Sequence, residues 1–364
     1  LPLKDHRPLG AARDELSAIQ GGLQSGTYAH RTSVTVDQVC EDWLMSKHSL
    51  RPSTLAGHRS KLRALRDELG HVEVQKLSKA DLDRLVVRLR QGDGGFKPWS
   101  PRSVNYMLYL ATAVLDDQLK QGDTLVRNVA RLVDRVPADP KQFRTLTEAE
   151  MYRILDHDCR DRHLWTLALY GLRRGELAGL RWANVNLTDK AVGRGQSAIP
   201  ARHLRVAENR VAVGKVITTG PPKSRASKRT LPIPDDVVPV LRAARKRQLQ
   251  ERLKLGDDYN PEDYVGCDET GQPYHPNLLT FRWGRMLKDL KIDHVRLHDA
   301  RHTCGTLMHL NHVPIAVISA WLGHASSAFT QAVYTHSQDG ALRAAATSFQ
   351  RDVTTRDTEA SAGT

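Results

Sequence analysis

Cysteine is scarce in this chain. The four present, Cys40, Cys159, Cys267 and Cys304, stand far apart and form no Cys-x-x-Cys pair. That spacing excludes a disulfide framework or a cysteine zinc cluster and fits reduced thiols. No apolar run approaches the length of a membrane span, and the first residues carry no signal-peptide pattern. Internal repeats and heptad arrays are absent too, which sets aside solenoids and coiled coils. Acidic residues are outnumbered. There are 41 Asp and Glu against 54 Lys and Arg, a formal net charge of +13. Such a surplus suits a polyanionic partner, because phosphate contacts release counterions from nucleic acid. A basic protein with no specific partner would show the same total. Of the basic residues 16 are Lys and 38 are Arg. Arginine favours bidentate phosphate recognition, although codon bias in a GC-rich genome also raises its count.

With 364 residues and 40% hydrophobic content, the chain is long enough for two or three domains. Residues 11–23 read as the end of a helix, and Gly26-Thr27-Tyr28 leads into a linker. Residues 35–135 read as all-helical. Thr35-Val36-Asp37 opens one helix, and Ser53 and Thr54 are the expected caps of the next, with Leu55, Leu62 and Leu65 along one side. Ser78 to Asp81 resembles a capping box, 91–98 is a loop, and Ser100-Pro101 starts a long helix bearing Val104, Leu108, Ala111 and Leu115. A linker is expected at 135–144. In the second body, residues 145–345, the period changes to that of strands between 204 and 233, which predicts a small hairpin or a three-stranded sheet. Helices resume at 235–253, 276–290 and 298–310. The whole is mainly α with a small β-sheet (α+β), and residues 350–364 are expected to be a disordered tail.

Several residues in the second body could carry chemistry. His298 and Arg301 lie three apart on a predicted helix and so share a face, where a phosphate could meet both; either could equally brace a neighbouring helix. His298 and His302, with Asp299 between, approximate a zinc-binding His-Glu-x-x-His helix, but Asp is shorter than Glu and no third ligand follows. Arg173, at the end of an apolar stretch, requires a partner if buried, and Glu176 is in reach; the pair is either an internal salt bridge or a carboxylate aiming a guanidinium at a ligand. Arg174 is expected to face solvent or a DNA backbone. Lys223 sits in a basic turn where Arg225, Lys228 and Arg229 compete for any role assigned by charge alone. His324 follows Leu322-Gly323 and reads as a phosphate donor, a helix cap or a core histidine. Tyr334, ten residues later, is by itself a packing residue.

Gly171-Leu172-Arg173-Arg174-Gly175-Glu176, Pro222-Lys223-Ser224, Leu297-His298-Asp299-Ala300-Arg301, Leu322-Gly323-His324 and Val333-Tyr334 occur in that order. Together they resemble the tyrosine recombinase or phage integrase family over about residues 35–345. The resemblance implies a catalytic set of Arg173, Lys223, His298, Arg301, His324 and the nucleophile Tyr334, with Glu176 in support. It implies a partial N-terminal arm-binding region at 1–32, a helical core-binding domain at 33–136 and a mixed catalytic domain at 137–349. Arg59, Lys61, Arg63, Arg102, Asn105 and Arg174 become candidates for DNA contact.

By the same resemblance the reaction is site-specific recombination through a 3′-phosphotyrosine, without metal or cofactor. The partners would be double-stranded attachment-site DNA, three further copies of the chain in a homo-tetramer, and accessory bending or directionality factors. The location would be the bacterial cytoplasm and nucleoid, with a phage or mobile-element origin. Two other readings are open at this point. A type IB topoisomerase-like enzyme would share the chemistry and relax supercoils as a monomer. A DNA-binding regulator would bind without cleaving.

Overall fold

The computed structural model describes residues 13–14, 16–17, 20–21 and 32–324, apart from 94, 96, 123–124, 139–143, 215 and 223; of residues 196 and 225 it describes only the backbone. The expected arm-binding region falls mostly outside the described residues, and the expected tail wholly so. The chain divides into two compact units, Leu1–Lys141 and Gln142–Thr364. Among the described residues no helix is long and apolar enough to cross a membrane.

Among the described residues of the first unit, four helices follow residue 32: α1 (Val36–Ser46), α2 (Pro52–Leu69), α3 (Lys79–Gln91) and α4 (Pro101–Gln121), then a 3-10 turn at Val129–Leu132. Local chemistry sets most of their starts. The Thr35 hydroxyl accepts from the Gln38 N–H while the Gln38 side chain accepts from the Thr35 N–H, and Ser78 and Asp81 form the same reciprocal pair. Helix α2 begins earlier than the Ser53 or Thr54 caps predicted. Arg51 is its N-cap, without a side-chain hydrogen bond, and Pro52 takes the first helical position. Proline has its φ preset there and no N–H to leave unsatisfied, so it outcompetes the hydroxyl caps. Leu62, Leu82, Leu89, Val104, Met107 and Leu108 are completely buried between the helices. Each such side chain contributes about 1.5–3 kcal/mol of burial. Arg66 of α2 ties back to Asp37 (2.6 Å) and Glu41 (2.8 Å) of α1.

The second unit runs α5 (Glu148–Leu155), α6 (Arg162–Leu169), α7 (Arg174–Gly179), β1 (Val185–Asn186), β2 (His203–Val206), β3 (Asn209–Val213), β4 (Val216–Gly220), β5 (Arg229–Pro232), α8 (Val237–Leu255), α9 (Pro276–Asp289), α10 (Leu297–Leu310) and α11 (Ile315–Leu322). The short helix α6 is buried from His163 to Leu169 and touches α5, α7, α8 and α10. Trp165 on it meets Trp283 of α9 edge to face, ring centroids 5.5 Å apart.

Hairpin and three-stranded sheet, offered as alternatives by the sequence, are both present. One antiparallel sheet has the order β1-β2-β5, with Leu204 opposite both Val185 and Leu231. Strands β3 and β4 form the separate hairpin, from Asn209↔Gly220 to Val213↔Val216. Strand β1 is only two residues long, too short to show an alternation. Glycines let α7 approach β3: a Cβ on Gly179 would lie 3.2 Å from the Arg210 nitrogen, and one on Gly175 would collide with the Asn209 side chain.

Candidate active site

Three polar segments of the second unit converge: the start of α7, the first turns of α10 and the C-terminus of α11. Arg173 is the N-cap residue of α7. Its own N–H donates to Glu176 Oε2 at 2.8 Å, and its guanidinium donates to Glu176 Oε1 at 2.8 Å. The other terminal nitrogen donates to the Gly323 carbonyl at 2.7 Å. The Arg173 side chain is 29% exposed, so N–H donors are left over for a ligand.

Arg301 lies one turn after His298 on α10 and is 1% exposed. Its guanidinium donates to the Gly171 carbonyl at 2.6 Å and to the Leu322 carbonyl. A third arginine completes the pattern. Arg229, at the start of β5, donates from Nε to the Trp321 carbonyl at 2.6 Å. The last three carbonyls of the α11 terminus therefore each receive a guanidinium. Such groups have no intrahelical partner and carry the negative end of the helix dipole, so a cation there is favoured twice over.

Gly323 ends α11 in the left-handed region at φ 61°. A Cβ there would sit 2.9 Å from the Ala226 carbonyl oxygen and 3.1 Å from Arg229 Nη1. Only glycine allows the loop before β5 to close on the helix end. The turn then delivers His324, whose N–H donates to the Ser319 carbonyl at 3.0 Å.

The electrostatics follow from this crowding of cations. Burial pushes the His324 imidazole down to about 3, with Arg301, Arg173, His302 and Arg229 acting in the same direction. For His298 burial also comes first, followed by His302, Arg301 and Arg173, with Asp299 opposing. His298 remains accessible to solvent. Both imidazoles are neutral near pH 7. Burial raises the Glu176 carboxyl, but the Arg229 hydrogen bonds and the charges of Arg229 and Arg173 outweigh it and hold the group below its ordinary value.

The structure thus brings Arg173, Glu176, His298, Arg301 and His324 together. Lys223 and Tyr334 lie outside the described residues. Two neighbours were not placed at the site by the sequence. His302 stands against His298, centroids 5.1 Å apart and nearly perpendicular. Arg229 was only one of several competing cations, and its burial against Glu176 has no sequence signature. Both oxygens of Asp299 accept from Arg296, at 2.7 and 2.8 Å. Among the described residues no three His, Cys, Asp or Glu are grouped to hold a metal.

The DNA-contact candidates divide. Arg59, Arg63 and Arg102 are exposed, the first two in surface pairs with Glu41 and Asp67. Lys61 donates to Ser103 Oγ at 3.3 Å and lies over the Trp99 ring. Arg174 is exposed and donates to Thr280 Oγ1 at 3.1 Å. Asn105 is half-buried. Its amide donates to the Val136 carbonyl (2.8 Å) and accepts from the Val136 N–H (2.9 Å).

Comparison with known proteins gives a consistent result. Residues 139–340 match the model of the phage integrase family. A tyrosine recombinase XerC-like protein of Caldanaerobacter subterraneus is 24% identical over 330 residues, covering 86% of this chain and 82% of that protein. An integrase of Streptomyces ambofaciens is 26% identical over 337 residues, 89% of this chain and 81% of its own length. Among solved structures, the Tn1549 transposon integrase in complex with transposon right end DNA superposes with a TM-score of 0.66 at 18% identity, over 82% of this chain and 94% of that one. A lambda integrase tetramer bound to a Holliday junction gives 0.56 at 15% identity, over 92% and 88%. These two likenesses concern the fold.

Proposed function

The chain belongs to the phage integrase family of tyrosine recombinases, and we propose that it breaks and rejoins DNA at a specific site through Tyr334, in the service of a phage or other mobile element. The observation that carries this reading is the meeting of Arg173, Arg301, His298 and His324 at the end of α11, ten residues before Tyr334 in sequence.

In the proposed reaction the Tyr334 oxygen attacks a DNA phosphorus. The new O–P bond replaces the P–O5′ bond, giving a 3′-phosphotyrosine and a free 5′ hydroxyl. Bond energy is kept in the enzyme link, so rejoining is the same step reversed with a 5′ hydroxyl from a second duplex. Tyrosine's reference pKa is about 10, so its proton needs an acceptor. A neutral His298 is able to be one, while Lys223 protonates the departing 5′ oxygen. Arg173 and Arg301 hold the non-bridging oxygens. Both are fixed by carbonyls before DNA arrives, so little reorganisation accompanies the charge that builds in the transition state. The neutral His324 donates to a phosphate oxygen. An incoming phosphate raises the pKa of both imidazoles, opposing the arginines that lower it.

The proposed ligand is double-stranded DNA, with Arg59, Lys61, Arg63, Arg102 and Arg174 as phosphate contacts. A homo-tetramer on two duplexes, accessory factors and a nucleoid location complete the proposal. Its domains are an N-terminal arm-binding region and linker at 1–32, a core-binding domain at 33–136 and a catalytic domain at 137–349. The test begins with duplexes selected for binding from a randomised pool, nicked near the centre and incubated with the protein. A denaturant-resistant adduct with wild type and none with Tyr334→Phe is expected. Tight binding without any adduct would contradict the reading, and relaxation of plasmid lacking the selected site would favour topoisomerase chemistry instead.

A further inference from the structure

We propose that Arg229 is a positioning residue for strand cleavage: it holds Glu176, and through it Arg173, in register with the end of α11 and the loop before β5. The inference rests on the recombinase reading. Arg229 is 7% exposed at its side chain, and Glu176 2%. Its two terminal nitrogens meet the two carboxylate oxygens of Glu176 in parallel, at 2.9 and 3.0 Å. Nη1 also donates to the Ser227 carbonyl at 3.1 Å and Nε to the Trp321 carbonyl at 2.6 Å. One planar group thus joins three segments. Helix α7 carries Arg173. The loop at Ser227 follows Lys223 in sequence by four residues. The α11 end carries His324 and leads in sequence to Tyr334.

The division of labour between the arginines supports this. Arg173 is partly exposed and able to meet a ligand, whereas Arg229 is enclosed and directs its donors at protein. Glu176 lies between, and each of its oxygens accepts from both: Oε1 from Arg173 Nη1 and Arg229 Nη1, Oε2 from the Arg173 N–H and Arg229 Nη2. Without Arg229 the carboxylate would lose its fixed orientation, and Arg173 would lose the partner that aims it. Lysine would keep the charge but not the fork, since an ammonium cannot present parallel donors to a carboxylate and a third to Trp321.

The experiment compares full-length wild type, Arg229→Lys, Glu176→Gln and the double variant on selected nicked duplexes. It measures single-turnover adduct formation, DNA affinity and thermal melting separately. Arg229→Lys is expected to slow adduct formation by ~10² while affinity stays within about threefold, because a misplacement of roughly 1 Å in a positioned group has an effect of that order. The double variant is expected to be little slower than Glu176→Gln, because both changes cut one link. Adduct formation by Arg229→Lys within threefold of wild type would overturn the proposal. So would a rate loss matched by an equal loss of folded protein, or strictly multiplicative effects in the double variant. If Arg229→Lys does not fold, Glu176→Gln reads the same link, and failure of both to fold would assign the network to stability alone. No adduct from wild type would sink the recombinase reading itself and this inference with it, an outcome distinct from the others.

Discussion

The two units of this protein treat charge in opposite ways. In the first, many ionic pairs lie at the surface: Lys79 with Asp83 and Arg63 with Asp67 one helical turn apart, and Lys76 with Glu73 in the turn before α3. In the second, the side chains of Glu176, Arg301, Arg229 and His163 are almost wholly enclosed and are bonded to carbonyls or to one another. An exposed pair is screened and contributes about 0–1 kcal/mol, so its members are free to exchange a carboxylate for a DNA phosphate. A buried group is useful only at one geometry, and removing its partner is costly. In the proposed reading the first unit adheres to DNA, and the second fixes positions.

Deleting a buried partner should break this contrast most visibly. Glu176→Ala leaves Arg229 uncompensated and is expected to lower stability by about 3–5 kcal/mol in urea unfolding, whereas Asp67→Ala should change it by less than about 1 kcal/mol. Equal losses would erase the distinction.

A second effect appears with pH. His163 is fully enclosed, its Nε2 donating to the Val265 carbonyl at 2.9 Å, and burial pushes its pKa down to about 4. The unfolded chain therefore takes up this proton first. The associated stability is complete above about pH 6.5 and is lost as pH falls toward 4. At about pH 5 the loss from this group should be about 2 kcal/mol. His163→Asn, compared with wild type at both ends of that window, should show a correspondingly flatter pH dependence.

Gly323→Ala comes next. An alanine at this positive φ, with its methyl against the Ala226 carbonyl, should cost about 1–2 kcal/mol and slow cleavage. An unchanged melting temperature and cleavage rate would show that the α11 terminus does not need its tight turn.

The smallest effects belong to the first unit. Arg59→Ala, Lys61→Ala and Arg63→Ala should leave stability within about 0.5 kcal/mol. Each should lower the slope of log K against log salt by roughly 0.9 without altering sequence preference. Loss of specificity in any one of them would show base reading where backbone contact is expected.

The same contrast explains how much was legible in the sequence. Helix starts were readable where a local signal sets them, as at Thr35 and Ser78, and were misplaced by two or three residues where Pro52 overrode Ser53 and Thr54. The site motifs were readable because their order and spacing are linear. Arg229 was not, because its importance arises from three segments far apart in sequence meeting at one carboxylate, and nothing near residue 229 records that. The pairing of Asn105 with Val136, 31 residues away, was not legible for the same reason. Strand β1 is defined by its pairing with β2, not by any pattern of its own.

The central claim is that Tyr334 forms the covalent link to DNA. The most direct measurement traps the adduct on a nicked selected duplex, digests protein and DNA, and locates the nucleotide-bearing peptide by mass spectrometry. The account predicts a single modified peptide, with the phosphate on Tyr334 and attached to a 3′ nucleotide end. A modification on another residue, a 5′ linkage, or an undiminished adduct in Tyr334→Phe would contradict it.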